Sequence, residues 1–214
     1  MNTNIDFWER IVKNPSTSYK TLFKQERKYL RKNIDSKDVV LDVGCGDGRN
    51  ILSIVDIAQK IIGIDIDEKA ILDTKSNLNN YKNVDILFGN AFELPFEDKK
   101  FNKVILSMTL VNFNDQKKKA LSELKRVICK DGKILISIYS EKAKDTRLDM
   151  YTKIGVPIDT IEESKFIFDK SVGAHISEQF SIEEFEEIIN DIGLKIEEYE
   201  EVENIAYLTT LVRK

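Results

Sequence analysis

Glycines stand at alternate positions in Val40-Leu41-Asp42-Val43-Gly44-Cys45-Gly46-Asp47-Gly48, and Asp65 closes the next apolar run, Lys60 to Asp65. Lacking a Cβ, such a loop turns tightly and lets a ligand approach its backbone. A loop that leaves a strand and enters a helix also presents unpaired N–H groups. An acid at the end of the second strand is placed to accept hydrogen bonds from both hydroxyls of a ribose. Together these features describe a nucleoside site at the carboxyl ends of the strands. The dinucleotide fingerprint needs a third glycine where this chain has Arg49, and the phosphate loop needs Gly-Lys-Ser or Gly-Lys-Thr. NAD and ATP are therefore disfavoured.

Other reactive side chains are few. His175 is the only histidine, in Gly173-Ala174-His175-Ile176-Ser177. Its ordinary pKa suits a general base, and the alternative is a loop or packing histidine. Cys45 reads as a small loop residue and Cys129 as a buried residue late in a helix; their spacing fits neither a disulfide framework nor a zinc site. No metal is expected. Tyr19 can close over a ligand, or it can be core at its helical spacing.

Elements to position these groups follow from hydrophobic periodicity. Tyr19, Leu22, Phe23, Glu26, Tyr29 and Leu30 recur at helical spacing and predict a helix from Ser18 to Lys32, within an N-terminal helical segment over residues 1–37. Strands are expected at Val39 to Val43, Lys60 to Asp65, Val84 to Phe88, Phe101 to Met108 and Lys133 to Tyr139, the last entered by an Asp131-Gly132 turn. Helices are expected at Arg49 to Ile57, Asp67 to Asn79 and Gln116 to Ile128. Apolar runs alternating with helices imply an α/β, doubly wound, mostly parallel sheet covered on both faces. Ser181-Ile182-Glu183-Glu184 is a capping box opening a helix that stops at Gly193. Lys195 to Glu201 and Ile205 to Val212 read as a final antiparallel pair.

These motifs, in this order, resemble class I S-adenosylmethionine-dependent methyltransferases. Val40 to Gly48 resembles the first motif and Gly63-Ile64-Asp65-Ile66 the second. Phe88 to Phe96 with Phe101 to Ile105, and Leu124 to Ile128 with Asp131 to Ile136, resemble those that follow. The resemblance covers about Leu30 to Tyr139 and the terminal helix and strands. It implies a seven-stranded sheet in the order 3-2-1-4-5-7-6 with the last strand antiparallel. It also implies that S-adenosyl-L-methionine is the cofactor, S-adenosyl-L-homocysteine the product, and methyl transfer the reaction. By the same resemblance Gly44, Cys45 and Gly46 hold the methionine part, and Asp42 orients the loop or the amino group. Asp65 takes the ribose, Ile66 lies against the adenine face, and Asn90, Ala91 and Phe92 read the adenine edge. Ser107 lies near the methionine amino group, and Asn112 faces the substrate. Asn90 and Asn102 depart from the family's frequent Asp; an amide carbonyl still accepts from the adenine amine.

The chain has 214 residues and a net charge of -4, which suits a single domain over residues 1–214. No apolar stretch is long enough to span a membrane, and Met1 to Asp6 lacks signal-peptide character. Cysteine usage points to the reducing cytoplasm, and a monomer or homodimer is expected. Lys and Arg crowd the segment Lys13 to Lys37, and Glu crowds Glu178 to Glu203, so solvated faces compete with a nucleic-acid patch. Asn-Pro-Pro-Tyr, which the family uses on base and glutamine amino groups, is absent; Ser107-Met108-Thr109-Leu110 stands there. That tilts the acceptor toward a small-molecule O or N nucleophile. RNA or protein methylation and a noncatalytic S-adenosylmethionine-binding role are the alternatives. The stretch Glu141 to Gln179, within residues 141–180, has mixed polarity and no clean period. Directly after the fifth strand, it is placed to cap the acceptor; a surface decoration or dimer contact is the alternative.

Overall fold

The computed structural model describes residues 7–172 and 175–214. Met1 to Asp6, read above for leader character, and Gly173 and Ala174 of the histidine segment lie outside them. The chain runs α1 (Phe7–Lys13), α2 (Thr17–Asn33), β1 (Val39–Val43), α3 (Arg49–Ile54), β2 (Lys60–Asp65), α4 (Glu68–Leu78), β3 (Val84–Phe88) and β4 (Phe101–Ser107). It continues through α5 (Lys117–Val127), β5 (Ile128–Tyr139), α6 (Lys144–Lys153), β6 (Ile158–Ile161), β7 (Lys165–Phe168), β8 (Ile176–Glu178), α7 (Ile182–Asn190), β9 (Leu194–Val202) and β10 (Ala206–Arg213).

Seven strands form one sheet in the order β3-β2-β1-β4-β5-β10-β9. β1 to β5 are parallel, and β10 runs antiparallel to both β5 and β9. Counted along this sheet alone, β9 and β10 are its sixth and seventh strands, so the order 3-2-1-4-5-7-6 holds. The apolar runs are explained by burial on both faces: Leu41, Val104 and Ile136 lie in the core on one face and Val40, Ile105 and Leu135 on the other. Parallel strands of this kind must be joined by crossovers, which bring every carboxyl end of β1 to β5 to one edge.

Caps fix several helix ends. Ser16 accepts from the Tyr19 N–H at the start of α2, and Asp67 accepts from Lys69 and Ala70 at the start of α4. The Ser181–Glu184 capping box opens α7 as expected. Asn102 accepts from the Val39 N–H at 3.0 Å, tying the start of β4 to β1. One expectation is corrected at β5, which already begins at Ile128 and shifts register against β4 after Phe101. A Cβ on Gly132 would lie 2.8 Å from the Asn102 carbonyl oxygen. Gly132 thus serves a close backbone approach within a bulged strand rather than a separate turn. Cys129 accordingly sits in β5 and is half-buried.

Residues 141–180 fold into more than the sequence indicated. A short 3-10 turn at Glu141–Ala143 leads into α6, and β6, β7 and β8 form a separate antiparallel sheet in that order. This unit joins the main fold through Phe180, whose N–H donates to the Tyr139 carbonyl at 2.9 Å. Lys117 at the start of α5 holds Glu178 of β8 at 2.6 Å.

Candidate cofactor and acceptor site

The carboxyl ends of β1, β2 and β4 open on a cavity of about 310 Å³, within the range of small-ligand sites. Gly44, Gly46 and Gly48 take φ of +71°, +51° and +80°, the left-handed region that costs other residues most. The Gly44 and Cys45 N–H groups both donate to the Ile64 carbonyl, at 2.8 and 3.0 Å. Thr74 of α4 donates its hydroxyl to the Gly46 carbonyl. The loop is therefore held from β2 and α4 before any ligand arrives.

Asp65 does two tasks. One carboxylate oxygen accepts from the Gly46 N–H at 2.8 Å and the other from the Asp67 N–H at 3.0 Å. Each oxygen keeps a second lone pair for a ligand hydroxyl. Beside it, Ile66 is 62% exposed in the cavity wall, an apolar surface on which a flat base can rest. Asn90, Ala91 and Phe92 line the cavity just past Gly89, whose N–H donates to the Asp65 carbonyl at 2.9 Å, with Phe92 edge-on to Phe113 at 4.9 Å. The Asn90 side-chain oxygen already accepts from the Phe92 N–H at 2.9 Å, so it shapes the turn as well as facing the cavity.

Gly44, Cys45, Gly46, Asp65, Ile66, Asn90, Ala91, Phe92, Ser107 and Asn112 all line this one cavity. Three expected residues are placed elsewhere. Tyr19 is fully buried behind the cavity wall, its hydroxyl 3.1 Å from that of Tyr139; it is Tyr139 that reaches the cavity. His175 is exposed, and its carbonyl accepts from the Phe168 N–H at the entry to β8. Asp42 is fully buried within β1 and makes no bond to the loop; Asp65 holds the loop instead. The reason is strand alternation: Asp42 is flanked by Leu41 and Val43 and its carboxyl is sealed in the fold.

Neither Asp42 oxygen has a hydrogen-bond partner among the described residues. Burial pushes its carboxyl up to about 8, against the pull of Arg49 and with the nearby acids Glu26, Asp65 and Asp47 adding to the rise. The unfolded chain therefore ionises first, and this group's contribution to stability falls as pH rises from about 4 to about 8. Asp42→Asn should melt above the parent at about pH 8, with the gap closing towards about pH 4. A gap independent of pH in thermal melts would contradict a neutral Asp42.

Sequence reasoning noted Glu26 only as one member of a helical pattern. It is a buried carboxylate of α2, bonded by Arg49 at 2.7 Å, by Ser137 at 2.7 Å and by Ser107. Burial pushes this carboxyl up, but Arg49 and the two serines outweigh it and hold it below its usual range. The network fixes Ser107 and Arg49 in the cavity wall. The only available signal was an acid within an apolar helical stripe. Burial also pushes the Cys45 thiol up, so it is an unreactive side chain.

The charges lining the cavity decide what ligand fits. Asp47, Asp65 and Asp67 face it against one base, Arg49, and that base is already paired with Glu26. A diphosphate would meet net negative charge. A sulfonium and an ammonium would be favoured there. S-adenosylmethionine carries both, together with the ribose and adenine that Asp65, Ile66 and Phe92 suit. The residues present therefore fit that cofactor.

The fold and this site define a class I, Rossmann-like domain of the S-adenosylmethionine-dependent type. A family model described as "Methyltransferase domain" matches residues 34–199. A demethylmenaquinone methyltransferase of Bacillus licheniformis is 29% identical over 137 residues, covering 60% of this chain and 59% of that protein. Among solved structures, a protein of Pyrococcus horikoshii is 24% identical with a TM-score of 0.73, covering 94% of this chain and 93% of its own. A 1,6-didemethyltoxoflavin-N1-methyltransferase of Burkholderia thailandensis, bound to its substrate and S-adenosylhomocysteine, is 15% identical with a TM-score of 0.70, covering 96% and 82%. The chain belongs to the methyltransferase-domain family. It spans from 44% to 59% of the length of the first curated relatives it matches. Among the described residues no helix is long and apolar enough to cross a membrane, and no group of His, Cys, Asp and Glu is arranged to hold a metal.

Proposed function

We propose that the chain transfers the methyl group of S-adenosylmethionine to an O or N nucleophile of a small molecule. The observation that carries this reading is the left-handed glycine loop opening on an acid-lined cavity whose far wall includes Tyr151 and Ser177, both from residues 141–180. The cofactor supplies an electrophilic methyl whose thioether leaving group needs no proton. The protein's task is then to orient the acceptor and exclude water. Residues 141–180 act as the cap over the acceptor, with Asn112 facing it from the end of β4. His175 is retained as a candidate base only if it moves inward. The hydroxyl-bearing wall of Tyr139, Tyr151 and Ser177 serves an acceptor that is deprotonated already or loses its proton to water.

The basic α2 lends less support to an RNA acceptor. Lys32 lies 3.4 Å from Glu198 and 3.3 Å from Glu200, so part of its charge meets the acidic β9. Exposed pairs of this kind contribute little stability, but they lower the field a phosphate backbone would sense. Incubating the chain with cell extract and methyl-labelled S-adenosylmethionine should place the label in the low-mass fraction. Label confined to RNA or protein would overturn the small-molecule reading, and no transfer to any fraction would favour a noncatalytic binder.

A further inference from the structure

Arg147 of α6 is fully buried, yet among the described residues it has no carboxylate partner. Its guanidinium lies 4.0 Å from the centre of the Tyr139 ring and 4.6 Å from that of Phe166. Its N–H groups go to neutral acceptors: the Tyr151 hydroxyl at 3.2 Å, the Gln179 side-chain oxygen at 3.2 Å, and the Ser177 carbonyl and hydroxyl at 3.0 and 2.8 Å. Asp145 and Asp149, two residues to either side, are exposed and make no ion pair with it, and the carboxylates that flank its contacts are engaged elsewhere. Glu178 pairs with Lys117 and Lys165, and Glu141 accepts from Tyr207. Nor do the phenols of Tyr19 and Tyr139 supply the missing charge. Burial pushes both Tyr19 and Tyr139 up, so they stay protonated. A buried cation with neutral partners alone is costly unless an anion completes it.

That charge sits directly behind the cavity. Tyr139, Tyr151 and Ser177 line it, and two of them accept from Arg147. Because the Ser177 oxygen accepts from the guanidinium, its own O–H is left to donate, and no described residue takes that proton. A hydroxyl polarised by a guanidinium is a strong donor to an oxyanion.

We infer that the acceptor wall is built for an anionic small molecule, a carboxylate or phenolate oxygen held by Ser177 with Arg147 behind it as the positioning charge. This rests on the proposed small-molecule methyl transfer. The anion is one the acceptor already carries, or forms by losing a proton before it is methylated. No further bond change is implied: the acceptor oxygen or nitrogen forms a bond to the methyl carbon while the carbon–sulfur bond breaks, its electron pair staying on the thioether.

Trp8 is the only tryptophan and lines the same cavity, so its fluorescence reads occupancy. The chain, saturated with S-adenosylhomocysteine, is titrated with benzoate against benzamide and with hexanoate against hexanamide. At least one acid should bind roughly tenfold or more tighter than its amide, the scale of a charge-assisted hydrogen bond. Arg147→Met should bring that ratio to about one, Arg147→Lys should keep part of it, and Ser177→Ala should reduce it. A role confined to holding α6 against β5 would change melting temperature but not the acid-to-amide ratio. If Arg147→Met fails to fold, the parent ratio and Ser177→Ala decide alone. No acid preference in the parent, or a ratio unmoved by Arg147→Met in a chain that still binds S-adenosylhomocysteine, overturns the inference. A retained acid preference without S-adenosylhomocysteine binding would instead remove the proposed methyl transfer.

Discussion

Gly44→Ala is expected to lower the melting temperature sharply and to abolish measurable S-adenosylhomocysteine binding. At φ +71° an alanine is strained, and its Cβ would lie 2.6 Å from the Thr109 hydroxyl oxygen and 2.7 Å from its methyl carbon. Left-handed strain and overpacking together cost about 2–4 kcal/mol. The loop must shift, and with it the Gly46 N–H that Asp65 holds. Gly46→Ala is the matched control. It has the same sign of φ, at +51°, but nothing within 4 Å of the added carbon, so its folding cost is the strain of about 1–2 kcal/mol alone. Gly44→Ala with Thr109→Ala should recover only part of the steric share: the contacts at 2.6 and 2.7 Å are removed, while the Cβ of residue 109 stays tight at 3.2 Å. Equal melting temperatures for the Gly44 and Gly46 variants would show that the loop is looser than the structure implies.

Asp65→Ala should weaken S-adenosylhomocysteine binding by about 1.5–3 kcal/mol, on the order of ten- to a hundredfold in Kd. Two effects add. A ribose held there would lose its acceptor, and the Gly46 and Asp67 N–H groups lose theirs. The fold should survive, because Asp65 ends β2 and is half-buried. Asp65→Asn should fall between, since one amide oxygen can still accept. Calorimetry gives the numbers, and an unchanged Kd for Asp65→Ala would mean that the ribose lies elsewhere.

The parallel half of the sheet was legible because its signals are local. Val39 to Val43, Lys60 to Asp65 and Val84 to Phe88 were read with the bounds the structure has. Each is an apolar run ended by a turn or an acid; burial on both faces demands that pattern of the first two, while at the sheet edge Val84 to Phe88 buries only Ile86 and carries Asp85. The glycine loop was legible because its backbone conformation restricts residue type. What failed has physical reasons. α6 shows no apolar periodicity because one of the residues it buries fully, beside Met150 and Tyr151, is an arginine. β6, β7 and β8 have only three or four residues each, too few for alternation to register. Asp42 was read from its place in the motif, yet its side chain is sealed inside the sheet and the loop is tied to Asp65 instead. Glu26 and Tyr19 sit on one helix at core spacing. Only the packing of α2 against the sheet separates the buried network carboxylate from the core phenol.

An acid-lined glycine loop should bind a cationic nucleoside rather than a phosphate-bearing one. Calorimetric titration of the purified chain with S-adenosylmethionine, S-adenosylhomocysteine, NAD and ATP tests it directly. Saturable binding of the first two, with no heat from NAD or ATP, is the expected result. Tight NAD or ATP binding without a response to S-adenosylhomocysteine would contradict it.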